Sequence, residues 1–571
     1  MEITSENFKE QLPSIRQNIQ DASFFAFDSE FTGLTTDRNI FPFDTPEEVY
    51  LKTIENSSQF AIIQLGLCAF RVDPESKRVT YKCYNFYCYP KGRLNVFSCQ
   101  GDSMRFLAEN GFDFNKLFRH GLSYCLEADE ERLRAELRER QEQRATALQD
   151  DDVTDEDNSS VNMVPIPPGE EKLLTDITER IEQFIASDEA ELTIADCNGF
   201  QRKLVYQLIE SKYKKQVSTN SVNLANKHKG ILIERKRTKE QELKLDEDRA
   251  VQENEDLENM IGLSLVLQEL SKSRKLIIGH NMLLDLLFVI RQFFRPLPSD
   301  YQEFKNIVRH LFPLLLDTKY LCTNAELKVH VNSSVLGHVF ESVQKEPFKM
   351  PEVTSDFEEY EYSTDDSKQH EAGYDAYVTG LCFLGLTSYF KSDLLHLQND
   401  PTLKGYFNRI FLLRVAEVNY IYIYGKEPSI SREHVFFITF PENWRSSDIL
   451  IRFRNYGQVH INWVNNNSAF VTLHNRDYAS HVIKTIDKSS AQFTICTFNQ
   501  FKAKQQCAGT KRRFNSGSSE RGQPKCGKIE KEEKSSSIVL PAVTGDEIAS
   551  FGVPSQPKKA KKTEFAENND W

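Results

Sequence analysis

Several things are missing from this chain of 571 residues. Its 11 cysteines include no CxxC pair and no evenly spaced cluster. That excludes a disulfide framework and a structural zinc set, and it fits reduced thiols in a nuclear or cytosolic protein. No stretch reaches about 18 uninterrupted apolar residues, so no membrane span is expected. The opening MEITSENFKE has no apolar core of the kind a signal peptide needs. Positive charge is scarce too: the net charge is −13, with 71 Lys and Arg against 84 Asp and Glu. This excludes a chain-wide basic coat for nucleic acid and leaves room only for a local basic groove. No coiled-coil heptads are visible. What the chain does have is length for three or more domains and 40 phenylalanines to fill their cores.

Four carboxylates and one histidine stand out. FFAFDSEFTG starts apolar and ends at Gly33, the pattern of a short buried strand. Side chains alternate along a strand, so Asp28 and Glu30 share a face. Two adjacent carboxylates at a buried strand end repel each other and lose hydration; a hard divalent cation compensates both. A solvated strand end is the other reading. In LIIGHNMLLDLLFVI, Leu276–Ile278 read as a strand, Gly279 as the break, and Asn281 onward as a helix. Asp285 then lies about one turn in, either favoured by the helix dipole or paired with a cation. In HEAGYDAYVTGLCF a helix over 372–383 places Asp375 near its start and His370 on the preceding loop. A loop His beside metal carboxylates suits a general base for water; an ordinary surface His is the alternative.

These segments, in this order, resemble the motifs of DEDDh 3′→5′ exonucleases. FDTPEEVY, GFDFNKLFRHG, CNGFQRKLVYQ, IGHNMLLD, LLDTKY and the Asp570-Trp571 ending narrow the likeness to the poly(A)-specific ribonuclease family, over Met1 to about Gln500. The resemblance implies an α/β, ribonuclease H-like exonuclease domain, a mixed sheet with flanking helices. It also implies a magnesium-dependent deadenylase that releases 5′-AMP from the 3′ end of poly(A) RNA. Asp28, Glu30, Asp285 and Asp375 would bind the metal, two Mg²⁺ ions about 4 Å apart as phosphodiester hydrolysis favours, and His370 would be the base. Asn281 and Lys319 match positions near the substrate. Phe31 would either stack on the terminal base or pack in the core.

The flanking regions read as further modules. Residues 126–149 form a charged helix, followed by an acidic linker DDDVTDEDNSS. The segment 170–240 resembles the small single-strand nucleic-acid-binding domain with an Arg-xxx-His signature. Here Phe200, Arg202 and Lys203 are in place, but Tyr206 replaces the His. The second nuclease segment follows at 241–425. Residues 430–500 show a βαββαβ rhythm resembling an RNA-recognition motif (RRM). VFFITF puts Phe436 at the stacking position of the first strand. SAFVTL keeps Phe470 but has Ser468 where an aromatic is usual, so sheet-face RNA binding is in doubt. Trp463 matches the family position that stacks on the 7-methylguanosine cap, a cation–π partner; packing in a small sheet is the alternative. The tail from 503 reads as disordered, and Pro557-Lys558-Lys559-Ala560-Lys561-Lys562 as a nuclear-import signal. The resemblance further implies a homodimer; cysteine usage and the basic tail cluster point to the nucleus, with the nucleolus as one option, and the cytoplasm, and no membrane partner is expected. A trimmer of small non-coding RNAs and a non-catalytic RNA- or cap-binding scaffold are the competing functions.

Overall fold

The structure is a computed structural model. It describes residues 1–504 apart from 35–39, 91–95, 151–163, 188, 196, 215, 224–228, 237–238, 356–361, 363–367 and 487–492. The acidic linker from residue 151 and the tail from 505, with its basic clusters, lie outside the described residues.

The first four strands are β1 (Glu2–Ile3), β2 (Phe24–Phe31), β3 (Ile62–Val72) and β4 (Val79–Tyr87). β2, β3 and β4 form an antiparallel meander, with Asp28 opposite Gly66 and Glu30 opposite Gln64. The chain then leaves the sheet. Helix Glu127–Asp150 runs out and helix Lys239–Ile261 runs back. Arg144 ties the two together: Nε donates to Asp246 at 2.9 Å, and Nη1 and Nη2 hold both oxygens of Glu253 at 2.9 and 2.7 Å. Between these arms lies a small domain with its own apolar core. Helices Glu171–Ala186 and Gly199–Lys212 cover a sheet of β5 (Glu191–Ile194), β6 (Val217–Asn223) and β7 (Lys229–Arg235), ordered β5-β7-β6.

The chain returns through β8 (Leu276–Gly279), β9 (Leu315–Asp317) and β10 (Val353–Ser355). β8 pairs parallel to β2, and β9 parallel to β8. The finished sheet runs β1-β4-β3-β2-β8-β9, with β10 also on β4, a mixed sheet as expected for a ribonuclease H-like domain. Its two faces bury separate cores. Phe25, Phe27 and Phe31 face the helices Phe8–Asp21, Leu263–Ser273 and Leu283–Val289. Phe24 and Ala26 face the helix Ala372–Tyr389, which is apolar on every face apart from a few polar residues and is buried nearly all round.

A hairpin of β11 (Arg409–Phe411) and β12 (Tyr420–Tyr422) leads to the last domain. There β13 (Val435–Thr439), β14 (Val459–Asn465), β15 (Ser468–Leu473) and β16 (Thr494–Thr497) form an antiparallel sheet ordered β14-β15-β13-β16. Helices Ser446–Phe453 and Ala479–Thr485 complete a βαββαβ chain order. One assignment needs correction. Phe436 is fully buried among Ile438, Ile449, Phe453 and Val471, in the core between sheet and helices. Phe437, one residue on, takes the opposite face, directly across from Phe470. Both positions are apolar, so sequence alternation alone does not fix the face, and a slip of one residue exchanges the faces. Among the described residues no helix is long and apolar enough to cross a membrane.

Candidate active site

Strand β2 aims Asp28 and Glu30 along the face of Phe24 and Ala26, toward the helix that carries Asp375. One oxygen from each of Asp28, Glu30 and Asp375 lies within 4.8 Å of the others. These three carboxylates are half-buried. Burial pushes Asp28 well above the usual carboxylate range, and Asp285, Asp375 and Glu30 add repulsion. Glu30 is raised the same way, by burial and then by Asp375 and Asp285. Asp375 is pushed up to about 7 by burial, although the His370 amide opposes the shift.

Asp285 belongs to the first turn of helix Leu283–Val289 and is 7% exposed. Burial pushes it up to about 7, with Asp317 adding repulsion and Ser29 favouring the charged form. Even so, among the described residues neither Asp285 Oδ1 nor Ser29 Oγ has a hydrogen-bond partner within bonding geometry. A buried, unpartnered carboxylate oxygen beside three more carboxylates is costly unless a ligand completes it. All-oxygen donors suit a hard divalent cation such as Mg²⁺ or Mn²⁺ better than zinc. The residues present therefore fit a divalent metal site.

The sheet sets the position of Asp375. The first amides of any helix lack partners within the helix. Here Gln64 Oε1 accepts from the Ala372 amide at 2.9 Å, and Asn85 Oδ1 from the Gly373 amide at 3.2 Å. Gly66 allows the approach: a Cβ there would sit 1.9 Å from the Ala372 carbonyl oxygen. Gln64 and Gly66 are the cross-strand partners of Glu30 and Asp28. The same two positions thus register one pair of carboxylates against the third. Glu371, just before this helix, accepts from the Tyr362 hydroxyl at 2.5 Å.

Asp317 performs the matching task for Asp285. It is fully buried at the end of β9. Its Oδ1 accepts from the amides of Asn281, Lys319 and Tyr320 at 2.9, 3.0 and 3.4 Å. Its Oδ2 accepts from Met282 at 3.2 Å and Phe411 at 3.0 Å. These bonds hold the loop through Asn281, at φ 62°, that leads into the Asp285 helix. His280 bridges Thr318 Oγ1 and the Ser334 carbonyl, both at 2.9 Å, and burial lowers its pKa to about 3, keeping it neutral.

His370 sits at φ 68° before the Asp375 helix, half-buried, its ring edge-on to Phe106 at 4.6 Å. Burial lowers its pKa, so the imidazole is neutral at neutral pH and able to accept a proton. Lys319 is 8% exposed, its Nζ 5.8 Å from the centre of the Phe411 ring, and burial lowers its pKa. Phe31 packs on Phe288 at 4.5 Å and is 8% exposed, so its ring is part of the core here and does not lie open to a base. Trp463 belongs to the last domain, on edge strand β14, 41% exposed and edge-to-face with Phe440 at 5.2 Å. In the inserted domain Phe200 is exposed, Tyr206 packs against the core, and Arg202 Nη1 is spent on the carbonyls of Cys197 and Lys229.

Gln64, Asn85 and Asp317 were not singled out as site residues from sequence. Asp317 had a signal, a lone acid in the apolar run LLLDTKY; Gln64 and Asn85 had none, because their role exists only once the helix lies on the sheet.

A mixed sheet carrying three convergent carboxylates, a fourth that is buried and incomplete, and a neutral loop histidine defines a nuclease of ribonuclease H-like fold. The family model described as CAF1 family ribonuclease matches residues 3–383, and an RNA binding domain model matches residues 425–504. The chain belongs to the CAF1 ribonuclease family and, within it, to the group of poly(A)-specific ribonuclease PARN. It is 34% identical over 529 residues to that protein of Xenopus laevis, covering 90% of this chain and 83% of the relative. With the Homo sapiens protein the identity is 35% over 529 residues, covering 89% and 81%. The pre-piRNA 3′-exonuclease trimmer of Bombyx mori is 30% identical over 407 residues, covering 68% and 71%.

Proposed function

We propose that this chain is a 3′-exoribonuclease that shortens poly(A) tails and releases 5′-AMP. The observation that carries the reading is the convergence of Asp28, Glu30 and Asp375 beside Asp285, one of whose buried oxygens has no partner among the described residues. Asp28, Glu30, Asp375 and Asp285 would hold the divalent metal, proposed to be Mg²⁺ in two ions. When bound, such ions supply charge stabilisation for the phosphorane and the leaving 3′-oxygen. His370 takes the proton from the attacking water as its oxygen bonds to phosphorus. The bond to the 3′-oxygen of the preceding nucleotide breaks, that oxygen takes a proton from solvent to become the new 3′-hydroxyl, and the phosphate stays on the released nucleoside as 5′-AMP. Neutral His370 is in the form this step requires. Asn281 and Lys319, joined through Asp317, flank the Asp285 side and are proposed to hold the RNA backbone or base edge.

Adenine selectivity rests on the likeness to the PARN proteins. Digestion of A-tailed, U-tailed and C-tailed oligonucleotides with Mg²⁺ tests it: AMP from the A-tailed substrate alone supports a deadenylase, and equal rates support a general trimmer. No AMP from any substrate would leave a binding scaffold.

Trp463 is proposed to bind the 7-methylguanosine cap. Its exposure on an edge strand supports this over a packing role. Trp463→Ala should remove cap affinity and spare hydrolysis of uncapped oligo(A); cap affinity that survives contradicts it. A homodimer and residence in both nucleus and cytoplasm complete the proposal, tested by sedimentation and by imaging of the tagged chain.

A further inference from the structure

The last domain matches an RNA binding domain model, and RRM-like sheets stack bases on aromatic rings of their two central strands. In this chain those rings are already occupied. Phe437 and Phe470 face each other across β13 and β15. Phe43, from the loop ahead of helix Pro46–Ser57 of the nuclease, packs edge-on to Phe470 at 5.1 Å. Phe41 stacks on Phe43 at 5.3 Å and meets Phe470 at 5.1 Å. Phe498 and Phe501, after β16, close the other side, with Phe501 4.3 Å from Phe437. Phe43, Phe470 and Phe498 are left 2%, 4% and 5% exposed.

A polar rim surrounds this aromatic cluster. Arg432 holds both oxygens of Glu48 and lays its guanidinium over Phe498 at 4.5 Å. The Ala416 amide donates to the Pro42 carbonyl at 2.9 Å. Lys52 pairs with Asp44 at 2.7 Å and lies over Phe41 at 4.6 Å, while Asp44 Oδ2 accepts from the Phe41 amide at 2.7 Å. The Phe41–Asp44 loop is thus fixed in shape before it meets the sheet. A buried aromatic centre inside a charged, hydrogen-bonded rim is the anatomy of a specific protein interface.

We infer that the aromatic face of the RRM-like sheet is a docking site for the nuclease domain's own Phe41–Asp44 loop, and that it does not bind RNA. Away from that face the β14 edge is open, with Trp463 and Val464 41% and 45% exposed. Docking holds that edge in one orientation relative to the catalytic sheet.

The test uses the full chain in EDTA, so that RNA is bound and not cut. Photo-crosslinking of 4-thiouridine-containing oligonucleotides to the unaltered chain should mark no peptide from 435–439 or 468–473. Phe470→Leu keeps an apolar side chain and removes the ring, so it should leave RNA affinity within about twofold, where loss of a stacking site would cost about tenfold. Phe43→Ala should speed amide exchange in β13 and β15 and leave β2 and β3 unchanged. Crosslinks to Phe437 or Phe470, a tenfold affinity loss in Phe470→Leu, or unaltered exchange in Phe43→Ala would each overturn the inference. The crosslinking arm decides the matter even where a variant fails to fold.

Discussion

The catalytic pocket and the aromatic face of the RRM-like domain are opposites. In the pocket, like charges converge, burial drives their pKa values up, and a buried carboxylate oxygen has no partner. On the aromatic face, rings meet rings, a bidentate Arg432–Glu48 pair seals the edge, and little is exposed. Yet family likeness alone marks both as ligand sites. The difference shows how to tell them apart: the pocket gathers like charges that a ligand must offset, whereas the aromatic face is already covered by rings from the same chain.

The sharpest way to break the comparison is Asp28→Asn. It should reduce hydrolysis to background, while removing like-charge repulsion and so raising the unfolding temperature of the metal-free chain. Lower stability with metal absent would show that the pocket's like charges do not need offsetting. Next, Gln64→Leu removes the acceptor of the Ala372 amide and loosens the register of Asp375. Outer groups of this kind are worth about 10- to 100-fold in metal affinity or activity. Calorimetric Mn²⁺ titration should show weaker binding at unchanged stoichiometry, and Gln64→Glu should restore part of it.

On the aromatic face, Phe43→Ala should cost about 3–5 kcal/mol in denaturant unfolding, the usual range for a buried phenylalanine. A change below about 1 kcal/mol would mean the dock is not formed. Trp463→Ala, at an exposed edge, should change stability least, within about 0.5 kcal/mol.

The pocket also makes a pH prediction. Asp285 and Asp375 are pushed up to about 7 in the folded, metal-free chain. The folded state therefore binds more protons than the unfolded state between the ordinary carboxylate pKa, about 4, and about 7. Their contribution to stability is fully present below that range and is lost as pH rises through 7. Unfolding temperature without metal should fall across this window, while added Mg²⁺ should stabilise more as pH rises, because only the carboxylate form binds it. A metal effect independent of pH would contradict the shifts.

Much of the site was legible because its logic is local. The two-residue spacing put Asp28 and Glu30 on one face, and the Gly279 break followed by an apolar run put Asp285 in a first helical turn. What was not legible depends on long-range packing. Gln64 and Asn85 become helix caps only when a helix more than 280 residues later in sequence lands on β3 and β4. The slip from Phe436 to Phe437 has a similar cause, since both faces of β13 are covered and both residues are apolar. Phe31 had two readings in the sequence, stacking on a base or packing in the core, and only its contact with Phe288 settles which one this structure shows.

The most direct test of the account is AMP release from A-tailed RNA by the full chain, with Mg²⁺, with EDTA, and with Asp28→Ala in Mg²⁺. The account predicts AMP in the first case only, with Asp28→Ala still folded by circular dichroism. AMP release that survives Asp28→Ala would contradict it.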